Sequence, residues 1–233
     1  MTARRRVVEL MDDPAIDRNL HAGALTGLGR INRISRSDAI LWPELARLAT
    51  AAGGRTLQVL DLASGGGDVA IALALRAQKS GHDIRLSGCD ISEEAVRFAT
   101  ERAKRAGVAV AFQQRDALGG ELPPGFDVLT CSLFLHHLDE EQAVSLLRRM
   151  AAVAGQMVLI NDLARTQSGY WLAWAGCRLL SRSPIVRHDG PVSAAAAFTV
   201  EEAQGLADQA GLKDARITRH WPSRFLLAWS RPS

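Results

Sequence analysis

The alternation of apolar and polar positions divides the chain into short strand-like runs separated by longer helical ones. Leu57-Gln58-Val59-Leu60-Asp61-Leu62 is a short, nearly continuous apolar run, the pattern of a strand buried on both faces of a parallel sheet. It leads into Ala63-Ser64-Gly65-Gly66-Gly67-Asp68 and then an Ala/Leu-rich run, Val69 to Leu75, of high helix propensity. The glycines let the backbone turn sharply and approach a ligand with no Cβ in the way. Strand, glycine turn and helix together form the first ligand site of a doubly wound α/β sheet, at the carboxyl end of its first strand.

The same pattern recurs along the chain. Ile84–Cys89 predicts a second strand ending at Asp90, Val108–Arg115 a third ending at Asp116, Phe126–Ser132 a fourth and Met157–Ile160 a fifth. Asp214–Trp221 and Ser223–Trp229 predict two more, joined tightly at Pro222. So short a connection forces them antiparallel, because a parallel pair needs a long crossover. Between the strands, Ser92-Glu93-Glu94 and Asp139-Glu140-Glu141 open helices with a cap and an acidic first turn. Ahead of the first strand, Asp13-Pro14 predicts a helix start, followed by a stripe of Ile16, Leu20, Ala24, Leu28 and Ile31. A second helix is expected from Ser37-Asp38, as cap, to Gly53-Gly54. Residues 164–198 are an insertion, with a helix from Ser168 to Leu180 that carries Trp171 and Trp174.

The glycine turn alone admits two ligands. Gly65-x-Gly67-x-x-Ala70 also satisfies the dinucleotide fingerprint, so a nicotinamide oxidoreductase is one reading. In such a site the helix N-terminus receives a pyrophosphate. Here Asp68 stands at that terminus, where it would cap the helix and repel a phosphate, and Asp61 ends the strand on the other side. That lining suits a ligand with cationic groups, such as an ammonium and a sulfonium. Asp90 lies 23 residues beyond Gly67, near the spacing at which a carboxylate reaches a ribose, and its two oxygens can accept from both vicinal hydroxyls.

The motif VLDLASGGGD over 59–68 resembles the first motif of the class I S-adenosylmethionine (SAM) methyltransferases, and FDVLTCSLFLHHL over 126–138 resembles their fourth. The resemblance covers residues 57–163 by motif and 199–230 by topology. It implies an α/β, doubly wound, mostly parallel seven-stranded sheet with an antiparallel last strand at the edge, the Rossmann-like methyltransferase fold. It further implies an N-terminal helical cap over residues 1–54, ahead of a methyltransferase domain over 55–233; the 164–198 insertion in that domain is expected as a lid, its helix equally able to serve as a core or dimer helix. The implied donor site is Asp61, Ala63, Ser64, Gly65, Gly67, Asp90, Ile91, Asp116, Ala117 and Ser132, with Asp116 accepting from the adenine amine. SAM is the implied cofactor and S-adenosylhomocysteine its product. A SAM-binding module without catalysis is the other alternative.

Methyl transfer is an in-line displacement, for which the protein's main tasks are alignment and exclusion of water. Phe134, Tyr170, Trp171 and Trp174 are expected as apolar walls of an acceptor pocket. The acceptor expected is a small hydrophobic or aromatic molecule, such as a phenol, quinol or polyketide, methylated at oxygen in preference to carbon. A base would help a hydroxyl acceptor. His188, beside Asp189 in the insertion, is the first choice, with His137 and His136 in reserve. His21, Asn32, Arg33 and Arg36 are polar residues of the N-terminal segment that could face the pocket. Some family members hold Mg²⁺ with an acidic residue at the end of the fourth strand and Asp-Asn after the fifth. This chain has Cys131-Ser132 and the reversed pair Asn161-Asp162. Adjacent residues such as His136 and His137 point to different sides, so no metal is expected.

Composition narrows the classes further. The chain has 233 residues, 47% hydrophobic and 23% charged, an ordinary globular balance. A net charge of +3, with no concentrated basic patch interleaved with aromatics, argues against a nucleic-acid partner. No apolar run is long enough for a membrane span. The basic N-terminus runs into Glu9, Asp12 and Asp13 rather than an apolar stretch, so it does not read as a secretion signal. Three cysteines, Cys89, Cys131 and Cys177, fit reduced thiols in the cytoplasm. A monomer or homodimer is expected.

Overall fold

The computed structural model describes residues 3–12 and 16–232. Within these residues seven strands form one sheet: β1 (Leu57–Leu62), β2 (Ile84–Asp90), β3 (Ala111–Gln114), β4 (Val128–Ser132), β5 (Met157–Leu163), β6 (Arg216–His220) and β7 (Arg224–Ser230). Their order is β3-β2-β1-β4-β5-β7-β6. The first five pair in parallel, and β7 runs antiparallel to both β5 and β6. The antiparallel strand is thus one in from the edge, not on it. Its sequence explains the inversion of order: Phe225 to Trp229 are buried throughout, whereas β6 alternates and is largely exposed. A strand with two buried faces needs a neighbour on each side, and the more polar β6 takes the edge.

Among the described residues, eight α-helices surround the sheet: α1 (Arg18–Ile34), α2 (Ser37–Ala51), α3 (Asp68–Ser80), α4 (Glu93–Ala106), α5 (Glu140–Val153), α6 (Gln167–Leu180), α7 (Pro184–Ala196) and α8 (Val200–Gln209). Strand alternation sends Leu60, Leu62, Leu129, Cys131, Val158 and Ile160 to one face, under Leu146, Leu147 and Met150 of α5 and Ala203 and Leu206 of α8. Val59, Val128, Met157 and Leu159 point to the other face, under Ile40, Leu41 and Leu45 of α2 and Val69 and Leu73 of α3. Replacing any of the Leu, Ile or Met side chains among these with alanine costs about 2–5 kcal/mol.

The sheet's ends follow local chemistry. β3 begins three residues later than expected, because Gly107 ends α4 at φ 70 and the Val108 amide still bonds back to the Ala103 carbonyl. β5 runs three residues further than expected, because its ladder with β7 continues to Leu163↔Arg224. The segment Arg187–Pro191 is helical, lying inside α7, which Ser183 caps and Pro184 opens. α6 and α7 pack on each other and on α1, through Cys177, Ile185, Val186 and Ala24.

The N-terminal helices differ from expectation in detail. The expected start at Asp13-Pro14 lies outside the described residues, as do the side chains of His21 and Arg33. Of the α1 stripe, Ala24 is buried and Ile16, Leu28 and Ile31 pack beside it, but Leu20 is exposed. Ser37 does not cap α2. Arg36 stands at the cap in a left-handed conformation, and the Ser37 hydroxyl turns inward to accept from Arg224 at 3.0 Å. Before α1, the first residues form a strap. Arg4 donates to the Ala196 carbonyl at 2.6 Å and to Leu138 at 2.7 Å, and its guanidinium lies over the Phe198 ring. Among the described residues no helix is long and apolar enough to cross a membrane.

Candidate active site

The glycine turn opens at the carboxyl end of β1. Ala63 is left-handed at φ 50, Gly65 at φ 52 and Gly67 at φ 72. A Cβ on Gly65 would meet nothing within 4 Å, so the turn leaves open space there. At Gly67 a Cβ would stand 2.7 Å from the Phe112 ring and 2.9 Å from Ala99, so packing requires glycine as well as φ does. The turn is tied to β2: the Ser64 amide donates to the Cys89 carbonyl at 2.9 Å, and the Gly65 amide donates to Oδ2 of Asp90 at 2.8 Å. Asp90 therefore faces the turn. Its Oδ1 accepts from the Ser92 amide at 2.9 Å, and each carboxylate oxygen has a second lone pair. Ile91, next to it, is exposed and offers an apolar platform.

Two acidic residues behave differently from expectation. Asp68 is the first residue of α3, not its cap, and pairs with Arg102 of α4 and with Asn32 Nδ2 of α1 at 3.5 Å. Its charge is met by Arg102, which also donates to the Gly66 carbonyl at 2.8 Å. Asp68 thus fastens the outer side of the turn instead of lining the ligand side. Asp61 is 1% exposed and accepts from the Thr130 hydroxyl at 2.6 Å. Burial pushes its carboxyl up to about 7, against the lowering effect of Thr130. At neutral pH the lining is consequently less anionic than two free carboxylates would make it.

Asp116 folds back on its own turn. Its Oδ1 accepts from the Leu118 amide at 2.8 Å, the local bond that favours Asp in turns. Ala117 is buried beside it. Three strands along the sheet, β4 ends at Ser132, and Leu133 is left-handed at φ 57, its amide donating to the Asn161 carbonyl at 2.9 Å. Non-glycine residues in this conformation, Ala63 and Leu133, thus stand at the carboxyl ends of β1 and β4. Such strain of about 1–3 kcal/mol per residue concentrates at ligand sites.

After Leu133 comes a single turn of tight helix, Leu135–His137. His137 stacks on Phe134, with ring centroids 5.9 Å apart, and His136 is buried with Nδ1 2.6 Å from Oδ1 of Asp162. The rings of the two histidines lie 4.4 Å apart, and both Nε2 atoms approach Glu9 Oε1, at 3.8 and 3.9 Å. The premise that these neighbours cannot address one ion is overturned: in so tight a turn both rings reach the same side. Among the described residues, Glu9, His136 and His137 form a group whose spacing could admit a metal.

The aromatic residues of α6 are elsewhere. Trp171 and Trp174 are 58% and 40% exposed, packed edge to face at 6.2 Å, with Arg178 over Trp174 and Tyr170 against Trp171. The helix neighbours of α6 are α7 and α1. His188 lies on the exposed side of α7, its Nδ1 2.9 Å from Asp189. The Asp189 carboxylate accepts from the amides of Leu10 and Met11, both at 3.0 Å.

Sequence reasoning missed several participants. Thr130 and Arg224 were legible only as strand residues, Arg102 only as a helix residue and Asn161 only as half of a reversed pair. Each acquires its place from a contact far away in sequence. Ser64 Oγ, Ser132 Oγ and both amide atoms of Asn161 are buried without a hydrogen-bond partner. Polar atoms left in this state at the carboxyl ends of the strands, around an open glycine turn, fit a bound polar ligand.

Residues 59–156 match the family described as a methyltransferase domain. The ubiquinone biosynthesis O-methyltransferase of Pseudomonas putida is 30% identical over 172 residues, 70% of this chain and 71% of that one. That of Methylococcus capsulatus is 34% identical over 143 residues, and that of Ralstonia nicotianae 30% over 163. These two matches span only 57% and 64% of the relatives' own lengths, and 60% and 69% of this chain. Among solved structures, the plantazolicin methyltransferase BpumL with bound S-adenosylhomocysteine aligns with a TM-score of 0.66 at 16% identity, covering 95% of this chain and 92% of that one. An O-methyltransferase family 2 protein from Planctomyces limnophilus, in complex with apigenin, aligns at 0.61 and 20% identity, covering 94% and 63%. The chain belongs to the class I SAM-dependent methyltransferases. That membership sets the nicotinamide reading aside.

Proposed function

We propose that the protein methylates an oxygen of a small hydrophobic or aromatic acceptor, a phenol, quinol or polyketide-like molecule. The observation that carries this reading is the similarity, at 30–34% identity, to relatives that are O-methyltransferases. The acceptor would lie over the carboxyl ends of β4 and β5, beside Ser132 and Phe134. SAM, when bound, supplies an electrophilic methyl on a sulfonium. This chain's residues do the rest. Asp90 and the glycine turn hold the adenosyl sugar, with Ile91, Asp116 and Ala117 on the adenine side. Asp61, Ala63 and Ser64 line the methionyl side, Ser132 stands where donor and acceptor meet, and the left-handed Leu133 brings Phe134 to the reacting end.

His137 is the base this reading favours. Its ring is half-buried and stacked on Phe134, and its Nε2 lies 3.9 Å from the Glu9 carboxylate. His188, on the exposed side of α7, is second, and His136, buried against Asp162, serves to position the turn. The α6–α7 segment, over 164–198, would act as a lid and the N-terminal helices as a cap, with Tyr170, Trp171 and Trp174 swinging over the acceptor on closure. The protein would work in the cytoplasm as a monomer or homodimer, without a nucleic-acid partner.

The test is turnover with methyl-labelled SAM on a panel of phenols, quinols and pyrones. Label recovered in a methyl ether supports the reading; label on ring carbon overturns oxygen as the acceptor atom. His137→Gln and His188→Gln, compared on kcat with SAM affinity measured in parallel, assign the base.

A further inference from the structure

Three buried polar side chains on one face of the sheet are left over by the fold. In the parallel register of β4 and β5, Ser132 stands beside Asn161, and in the antiparallel register of β5 and β7, Asn161 opposes Leu226 while Leu163 opposes Arg224. Side chains alternate along a strand, so Ser132, Asn161 and Arg224 share the face that carries Asp61, Thr130 and Leu159. Adjacent strands are about 4.8 Å apart, and the diagonal from Asn161 to Arg224 is about 7–8 Å, within reach of a long side chain.

All three are short of partners. Asn161 is fully buried, and neither its amide nitrogen nor its oxygen makes a hydrogen bond. Ser132 Oγ is sealed from solvent and unpaired. Arg224 is 3% exposed and donates only to two neutral hydroxyls, Ser35 at 2.7 Å and Ser37 at 3.0 Å, while its Nε bonds to nothing. Among the described residues no carboxylate forms an ion pair with it. Burial lowers its guanidinium to about 10, with only the more distant Asp162 opposing. A buried, unpaired cation is among the most expensive arrangements in a fold, and its ordinary remedy is a hydrogen-bonded anion. A donor-and-acceptor amide a diagonal step from that residue on the same face, and a hydroxyl on the next strand, complete a site for an oxygen that is both charged and directional.

We propose that Arg224, Asn161 and Ser132 form an acceptor subsite for an anionic oxygen, a carboxylate or an ionised enol or phenol, carried by the molecule that is methylated. The inference rests on the methyltransferase reading and deepens it, because it requires the acceptor to bear negative charge at the depth of the sheet. Arg224 supplies the charge and Asn161 and Ser132 fix the direction, so the subsite would select against neutral isosteres and hold the acceptor in one orientation.

The experiment titrates the SAH-loaded protein by calorimetry with benzoate and benzamide, then with 4-nitrophenolate at pH 8 and 4-nitroanisole. Expected is binding of at least one anion about tenfold or more tighter than its neutral partner, with benzoate and nitrophenolate distinguishing a carboxylate from a phenolate. Arg224→Gln and Asn161→Leu should abolish that preference with SAH affinity unchanged. Equal binding of anion and neutral partner, for both pairs, overturns the proposal. Because Arg224 also holds Ser35 and Ser37, Asn161→Leu is the second arm: an amide with no partner gives up nothing, so an equal or higher melting temperature supports the proposal and a lower one overturns it. Failure of the wild type to bind SAH would instead sink the donor assignment itself.

Discussion

His136 and Asp162 meet in the interior just past the end of β4, with Nδ1 2.6 Å from Oδ1 and the His136 amide donating to Oδ2 at 3.2 Å. Burial alone would raise the Asp162 carboxyl, but the His136 charge and hydrogen bond and the Leu163 amide outweigh it, and the carboxyl sits below its ordinary value. A depressed carboxyl stabilises the fold above the unfolded value near 3.8 and loses that contribution as pH falls through the folded one. Asp162→Asn should therefore destabilise the protein at pH 7 by about 2–4 kcal/mol, and the gap to wild type should close in acid. Urea unfolding at pH 7 and pH 3 measures both.

Asp61 has the opposite sign. With its carboxyl raised to about 7 by burial, the folded state binds more protons than the unfolded state between about 4 and 7, so this residue's contribution falls as pH rises through that window. Asp61→Asn should flatten the slope and be the more stable protein at pH 8. Equal slopes in urea melts from pH 5 to pH 8 would show that Asp61 titrates normally.

Gly67→Ala places a methyl against Phe112 and Ala99 at a left-handed position. The expected result is a loss of about 2 kcal/mol or more in stability, from strain and overpacking together, with SAM affinity falling because the turn shifts. Gly65→Ala meets open space instead, and so should cost only the backbone strain while still blocking the donor. Thermal melts with and without SAM separate the two.

Arg102→Ala strips the Asp68 carboxylate and the Gly66 carbonyl of their shared donor. The turn should loosen, and SAM affinity should drop by about tenfold or more, the scale of one charge-assisted hydrogen bond. Calorimetric titration with SAM reads the change directly.

Trp171 and Trp174 stand in solvent on α6. Replacing both with alanine should change stability by less than about 1 kcal/mol. If α6 closes over the acceptor, KM for the acceptor rises while SAM affinity stays constant; an unchanged KM removes them from the pocket.

How much of this was legible in the chain depends on the range of the interaction. The β1–turn–α3 unit was, since its apolar run and glycines act within about ten residues of one another, and so was the Ser92 cap of α4. The helical state of His188 was not read, because Gly190 and Pro191 mask a helix that Ser183 and Pro184 start and that tertiary packing sustains. Asp61 read as a charged lining because burial has no local signature. The Ser37 hydroxyl read as a cap because its true partner, Arg224, is 187 residues away. Glu9 joins the histidine pair in the same way, from the far end of the chain.

The strap made by Arg4 and its neighbours sets a schedule for assembly. Its partners are the carbonyls of His136, Leu138 and Ala196, 132 to 192 residues further along, so the strap has nowhere to dock until those distant segments are in place. Closing a loop of that span is entropically slow. The strap acts as a latch, a second hold on the turn bearing both histidines beside the one that Asp162 gives.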